Sequence, residues 1–422
     1  MTALKRSFWV WLHRWAGLFM AGFLIIVGAT GSLLAFYPEL ERLINPQFYP
    51  EQSLANKLDI AALAELAQQR VPHGRVDWVV VEGNQHATVV SMSARSDESG
   101  QSSELGFNQL ILNSYTGEEL GRRQFGAISE GMINFMPFVY KLHYELALGK
   151  FGLWVLGICA LIWTIDCFVG FYLTLPQRCR QSTKSAPDQN TWWQRWQPAW
   201  KIRWQSSSYK LNFDLHRASG LWLWLILLTF AWSSVYMNLW DTVYTWTTRA
   251  VMEYKTPETE LEKRDVPLAE AEIGWRQAQS IGEKLMAKQA EKYGFAIERV
   301  IALGLNRMNG TYLYMVRSSK DIQNKRGGTS VFFDANSGEL KLVLLPSGQY
   351  NGNTVTTWLT ALHMANVFGL PYRIFVCVLG LVIVMLSVTG IIIWMRKRAA
   401  RLSPKNHQHD SRYLGPSIHR HP

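Results

Sequence analysis

Apolar residues are unevenly distributed along this chain of 422 residues. Runs of about 20 or more occupy residues 15–37, 151–175, 221–240 and 375–394, each long enough to cross a hydrocarbon core roughly 30 Å thick. Four spans is the simplest reading, and Asp166 is the only carboxylate inside them. Between the spans the period changes. Residues 61–70 have the spacing of an amphipathic helix, and 77–81 and 87–92 read as strands. Residues 109–113 and the turn Tyr115-Thr116-Gly117-Glu118 predict a hairpin. The second polar interval repeats the order: a helix at 268–292, strand-like segments at 298–302, 312–317 and 329–334, a turn at Asn336-Ser337-Gly338-Glu339 and a strand to Leu345. Gly117 and Gly338 are 221 positions apart, so the chain reads as a tandem duplication.

The predicted organisation is therefore an N-terminus and first span (1–37), a first α+β module (38–137), a short helix and second span (138–175) and a loop (176–214). A third span (215–240), a second module (241–355), another short helix with the fourth span (356–395) and a tail (396–422) complete it. Lys5 and Arg6 precede the first apolar run as in a signal peptide. The run is too long for one and no small-x-small cleavage site follows, so an uncleaved span is expected.

Formal charge is +11, and its distribution matters more than its size. The 176–214 loop and the start of the third span carry Arg178, Arg180, Lys184, Arg195, Lys201, Arg203, Lys210 and Arg217 against Asp188 and Asp214. Arg396, Lys397, Arg398, Arg401 and Lys405 follow the last span, and Lys5, Arg6 and Arg14 stand at the N-terminus. By the positive-inside rule both termini and this loop are cytoplasmic and both modules face outward. The basic excess sets topology and requires no nucleic acid. Trp192, Trp193, Trp196, Trp200 and Trp204 among the loop's cations read as an interfacial anchor, with an electron-donor contact as the alternative. The tail's His407, His409, His419 and His421 read as a polar end, with metal binding as the alternative. Cys159, Cys167 and Cys377 lie in spans and Cys179 in the loop. They offer no disulfide framework, CxxC or zinc spacing, and without CxxCH any haem is held non-covalently.

The candidate chemistry lies in four histidines at span entrances. Leu12-His13-Arg14-Trp15-Ala16-Gly17 recurs as Leu215-His216-Arg217-Ala218-Ser219-Gly220, 203 positions later. Leu142-His143 and Leu362-His363 precede the other two spans, 220 positions apart, each followed by a glycine break at Gly149 or Gly369. Both halves begin and end on the same side, so the repeats are parallel about an axis along the membrane normal. His13 then faces His216 at the cytoplasmic level and His143 faces His363 at the outer level, roughly 30 Å away at 1.5 Å per helical residue.

Such pairs have three readings: satisfied polar residues, a bare metal site, or haem. Zinc needs a third or fourth ligand, and no cysteine or carboxylate accompanies these histidines at short spacing. Bis-imidazole haem needs only two axial nitrogens from separate helices. Gly17 and Gly220 would give a macrocycle room, Arg14 and Arg217 could meet its propionates, and Lys141 and Arg373 are weaker candidates at the outer level. Asp166, an intramembrane carboxylate, could relay a proton or orient a histidine, or could bond neighbours such as Thr164.

The ordered set Leu-His-Arg-Trp-Ala-Gly-Leu from Leu12, Thr30-Gly31, Leu142-His143 with Leu148-Gly149, and Leu362-His363 with Thr389-Gly390 resembles the PepSY-associated transmembrane proteins. The exported segments, ending in Asp/Asn-x-x-(Ser/Thr)-Gly-Glu, look like PepSY-type modules. The resemblance implies a four-transmembrane-helix bundle from two parallel repeats with two α+β PepSY-like periplasmic modules. It further implies a bacterial inner-membrane, iron-regulated protein holding two b-type haems, with His13, His216, His143 and His363 as axial ligands. Its activity would be reduction of a ferric siderophore, which binds in a cleft between the modules against Tyr140, Tyr144 and Trp358. A donor on the cytoplasmic side or in the membrane would supply the electrons. Here His363 is followed by Met364-Ala365-Asn366 and His143 by Tyr144-Glu145, departures that bear on the substrate. The rival readings are a non-enzymatic sensor or inhibitor binding a periplasmic protein, a transporter, and a haem protein with another acceptor.

Overall fold

The computed structural model describes residues 5–81, 86–95, 104–177 and 190–402. Arg178, Cys179, Arg180, Lys184, Asp188, Lys405 and the four tail histidines lie outside the described residues.

Among the described residues three helices are long and apolar enough to cross a membrane: α1 (Arg6–Leu34), α4 (Lys150–Thr174) and α9 (Gly369–Leu402). Between them in the chain run α2 (Ile60–Arg70) and α3 (Phe135–Glu145), then α5 (Ser208–Trp222), α6 (Trp224–Asn238), α7 (Trp275–Tyr293) and α8 (Asn351–His363). The third apolar run departs from expectation, because it is not one straight span. It breaks at Leu223 into α5 and α6, which meet at 71°. The break follows Ser219-Gly220, small residues that give a helix little resistance to kinking. At the start of α6 the Trp224 indole donates to the Cys167 carbonyl of α4 at 2.8 Å. Counted as one bent span, the pair brings the candidate spans to four.

The spans pack in a ring: α1 against α9 and α4, α4 against α6, and α5 against α9. Small residues let α1 and α9 approach closely. A Cβ on Gly28 would stand 2.8 Å from the Gly380 carbonyl oxygen, and one on Gly380 would stand 2.5 Å from that of Gly28. Ser32 hydroxyl donates to the Cys377 carbonyl beside them at 2.8 Å. Trp15, Phe19, Ile158, Phe168 and Leu381 stay about half exposed on the outside of the ring, as lipid-facing side chains must.

The polar intervals form β1 (Gly74–Val81), β2 (Ala87–Ala94), β3 (Gln109–Asn113) and β4 (Glu119–Arg123), then β5 (Ile297–Asn306), β6 (Thr311–Ser318), β7 (Thr329–Asp334) and β8 (Leu340–Leu344). The two modules expected to flank a cleft are not separate units, and where they meet a hollow is lined by Arg75, Asp77 and Trp78 of the first and by Pro267, Leu305, Asn306, Arg307 and Met308 of the second. Strand β1 pairs antiparallel with β5, Val79 opposite Leu303, and a single eight-stranded sheet runs β4-β3-β2-β1-β5-β6-β7-β8. Burial explains the fusion. Each half has one helix, too little to cover its own sheet face, and joining edge to edge lets α2 and α7 share one core. Leu63, Ala64, Ala67, Val79, Ala278, Met286, Leu303, Tyr312 and Tyr314 all belong to it. Gly304 admits the Trp78 ring across the seam, where a Cβ would come within 2.5 Å of the indole. Arg276 of α7 reaches Glu65 of α2 at 2.8 Å. Helix α7 starts seven residues later than expected. The preceding strap is instead tied down by Leu268 N–H to the Arg307 carbonyl at 2.8 Å and Ile273 N–H to that of Ala335 at 3.1 Å.

Candidate functional site

The fold brings the four histidines together in two pairs. The His13 and His216 ring centroids lie 6.1 Å apart with planes inclined at 61°. Those of His143 and His363 lie 6.1 Å apart at 63°. The first pair is near the end carrying both chain termini, the second on the side of the sheet. Thr30, which touches His143, stands 17 residues beyond His13 on the continuous α1. That is about 25 Å along the axis at 1.5 Å per residue, so the pairs cannot share a centre.

His143 and His363 ride on α3 and α8, each of which ends in a hinge before its span. Leu146, Ala147 and Gly149 after α3, and Ala365, Phe368 and Gly369 after α8, all have positive φ between 51° and 69°. The four non-glycine residues in this set are the only ones with positive φ among the described residues, so the backbone is strained at just these two turns.

Every histidine has its Nδ1 engaged. Nδ1 of His13 bonds both oxygens of Asp166, at 2.9 and 3.0 Å. That of His216 meets the Leu386 carbonyl at 3.0 Å and the Thr389 hydroxyl at 3.1 Å. Thr30 Oγ1 gives its proton to the Ile26 carbonyl at 2.7 Å, so it accepts from His143 Nδ1 at 3.0 Å. Ser233 Oγ likewise donates to the Phe230 carbonyl at 2.9 Å and accepts from His363 Nδ1 at 2.7 Å. Each network therefore places the proton on Nδ1 and leaves the Nε2 lone pair free in the neutral ring, the form that ligates metals. Burial holds the pair near the sheet in that form, lowering His143 to about 4 and His363 to about 3. Phe230 stacks on His363 at 5.0 Å.

The duplication extends to these partners. Thr30 and Ser233 are separated by the same 203 positions as His13 and His216, and Asp166 and Leu386 by the same 220 as His143 and His363. Glycines face the rings. A Cβ on Gly31 would stand 3.0 Å from His143 Cε1, one on Gly390 3.3 Å from that of His216, and one on Gly170 3.6 Å from that of His13. These glycines, with Thr30, Ser233 and Thr389, are the contacts that reading the histidine motifs alone passes over. The signal was the recurrence of Thr-Gly in the spans opposite the histidines. Around Gly17 and Gly220 there is room: a Cβ on the former would meet no atom within 4 Å, and one on the latter only Leu386, at 3.9 Å.

The expected anion partners fare differently. Arg217 Nη2 bonds Asp214 Oδ1 at 2.9 Å and the Pro198 carbonyl at 2.7 Å, while its Nε and the Trp200 Nε1 remain buried without a hydrogen-bond partner. Arg14 turns into a cleft with Trp15, Trp394, Lys397, Arg398 and Arg401. Arg373 is corrected: its guanidinium is spent on Glu39 at 2.8 and 2.5 Å and on the Ala35 carbonyl at 2.9 Å, because Glu39 starts the helix that leaves α1 directly opposite. Lys141 lies 3.7 Å from Glu145. Asp166 meets His13 rather than Thr164, whose hydroxyl donates to the Ala160 carbonyl. Tyr140 and Tyr144 pack 5.0 Å apart on α3, beside His143, and Trp358 packs 6.3 Å from Phe368 near the start of α9.

Among the described residues no group of three or more His, Cys, Asp and Glu side chains could hold a metal ion. Each pair offers two imidazoles and nothing further. Two imidazoles on opposite sides of one metal ion, with metal–nitrogen bonds of about 2.0–2.1 Å and roughly 1.1 Å from nitrogen to ring centre, would have centroids about 6.2–6.4 Å apart. The 6.1 Å in both pairs fits that, and so do the orphaned Arg217 and Trp200 donors, which want an anionic acceptor such as a propionate.

Apolar helices of spanning length, capped by an antiparallel sheet and enclosing two facing histidine pairs, define a multi-span membrane protein. The model of the PepSY-associated TM region family matches residues 10–397, and the chain belongs to that family. No curated protein matches it.

Proposed function

We propose that this protein is an inner-membrane b-type di-haem oxidoreductase that passes electrons across the membrane to reduce a periplasmic ferric siderophore and so release its iron. The observation that carries the reading is the paired geometry: two imidazole pairs at the same 6.1 Å, every Nδ1 anchored and every Nε2 left for a ligand. His13 and His216 would hold one haem and His143 and His363 the other. When bound, the haems would supply the one-electron redox chemistry.

The chain's own residues do the rest. Asp166, Thr30 and Ser233 fix ring orientation and tautomer, and Thr389 with the Leu386 carbonyl does so for His216. Gly31, Gly170 and Gly390 let the rings lie against neighbouring helices. Arg217 and Trp200 offer N–H donors to a propionate. The positive charge at the end bearing both termini supports a cytoplasmic placement for that end and a periplasmic one for the sheet. With the modules fused, the acceptor would dock below the sheet, where α3 and α8 present Tyr140, Tyr144 and Trp358 close to the outer pair. Ferrous chelates are far weaker than ferric ones, so one electron delivered there releases the metal. A sensor or inhibitor role leaves the duplicated histidines and their anchored Nδ1 atoms without a purpose.

The test is a dithionite-reduced-minus-oxidised spectrum of the purified protein with haem quantified per chain. Two b-type haems per chain are expected, and ferric-siderophore reduction by the reduced protein. A colourless chain that takes up no haem on reconstitution overturns the reading.

A further inference from the structure

At the end bearing both termini lies a cleft that the proposed electron path does not use. It measures about 380 Å³ and is lined by Arg14 and Trp15 of α1 and by Trp394, Lys397, Arg398 and Arg401 of α9. Every charged side chain on its wall is a cation, and no carboxylate lines it. Neighbouring cations at this end are engaged: Arg203 and Arg217 share the Asp214 carboxylate, and Arg6 donates to the Leu173 and Leu175 carbonyls. Those of the cleft are not. Among the described residues Arg14, Lys397 and Arg401 form no ion pair, and Arg398 is held over the Trp394 ring, 5.4 Å from its centroid. Four like charges around one small volume repel unless an anion sits among them.

The walls say which kind of anion. Trp15 is 50% exposed on the outside of the ring of spans, so the cleft opens sideways toward lipid rather than into the bundle. Two indoles beside four cations at the end of two spans match the level of a bilayer where the headgroup meets the acyl chain. We infer that this cleft binds the phosphate of an anionic membrane lipid, with Arg14, Lys397, Arg398 and Arg401 around the headgroup and Trp15 and Trp394 against its glycerol end. A soluble phosphate shares the charge but gains nothing from the indoles. The inference is independent of the haem reading.

The full-length protein in detergent is titrated with phosphatidylglycerol or phosphatidylcholine, and retained lipid is counted by native mass spectrometry. Phosphatidylglycerol should bind at least about tenfold more tightly than phosphatidylcholine, since each cation near a headgroup contributes around 1 kcal/mol, a factor of about five. R14Q/K397Q should lose about tenfold or more of that affinity. K201Q/K210Q removes the same charge from the same end outside the cleft and should lose little. W394L keeps every charge, and hence the insertion signal, while releasing Arg398 from its ring; it should weaken retention about threefold. Equal binding of the two lipids, or an equal loss in K201Q/K210Q, overturns the site in favour of general surface attraction. Displacement of phosphatidylglycerol by millimolar inorganic phosphate overturns the lipid assignment in favour of a soluble phosphate.

Discussion

The two histidine pairs share a separation of 6.1 Å and a tilt of 61° or 63°, yet different chemistry holds them. In the pair near the termini, one ring leans on a carboxylate, Asp166, and the other on a backbone carbonyl and a hydroxyl. In the pair near the sheet both rings lean on hydroxyls, Thr30 and Ser233. A carboxylate accepting from Nδ1–H makes the imidazole a more basic ligand and adds a negative charge, both of which favour the oxidised state of a bound iron. A hydroxyl does this far less. Duplication thus supplied two equal frames, and the position equivalent to Asp166 in the second half, Leu386, contributes only its carbonyl. On the proposed function, the pair near the termini would give up an electron more readily and the pair near the sheet would accept it.

The sharpest break of this comparison removes one ring at a time. His216→Ala should eliminate the inner centre and leave the outer spectrum intact, and His363→Ala should do the reverse, each leaving about half of the wild-type haem. Loss of both centres from either substitution would mean that the pairs are not independent sites.

Next in size is Asp166→Asn, which keeps a hydrogen-bond acceptor for His13 and deletes the charge. The inner midpoint potential should rise by roughly 60–120 mV, one to two powers of ten at 59 mV each for a one-electron couple. The outer potential should not move. Equal shifts at both centres, or none at the inner one, would remove the proposed direction of flow. Thr30→Val and Ser233→Ala are the matching changes at the outer pair. They should weaken haem retention there by about tenfold, the low end of what losing such a support costs, with smaller changes in potential.

Much of this is legible in the sequence, for identifiable reasons. A ladder strand of alternating or continuous apolar residues has little freedom, and 109–113 and 329–334 fall where expected. The duplicated Leu-His motifs placed all four rings at span entrances, and parallel repeats forced them into pairs; only His143 and His363 stand at helix ends, since His13 and His216 lie inside α1 and α5. What stayed hidden depends on approach between distant segments. No local pattern says that β1 and β5 will join two modules, because the edge residues Trp78 and Gly304 are 226 positions apart. The break at Leu223 lies inside an apolar run whose hydropathy is blind to helix direction. Arg373 looked like an anion partner by charge and depth, and only the fold shows Glu39 and the Ala35 carbonyl already using it.

The smallest expected effects come from the glycines opposite the rings, and their order is itself informative. A methyl on Gly31 would sit 3.0 Å from His143 Cε1, tighter than real Cβ contacts usually allow, so Gly31→Ala must push the ring by a few tenths of an ångström. Gly390→Ala, at 3.3 Å from His216, asks for less, and Gly170→Ala, at 3.6 Å from His13, is ordinary van der Waals contact. The outer centre should therefore show the largest change in its low-spin spectrum with Gly31→Ala, the inner centre a smaller one with Gly390→Ala, and neither a measurable one with Gly170→Ala. Asp166 strengthens that last expectation, since His13 is gripped by two carboxylate oxygens and resists displacement more than the hydroxyl-held His143. If Gly170→Ala disturbed its ring as much as Gly31→Ala, grip would not distinguish the two pairs, and the contrast between them would rest on the Asp166 charge alone.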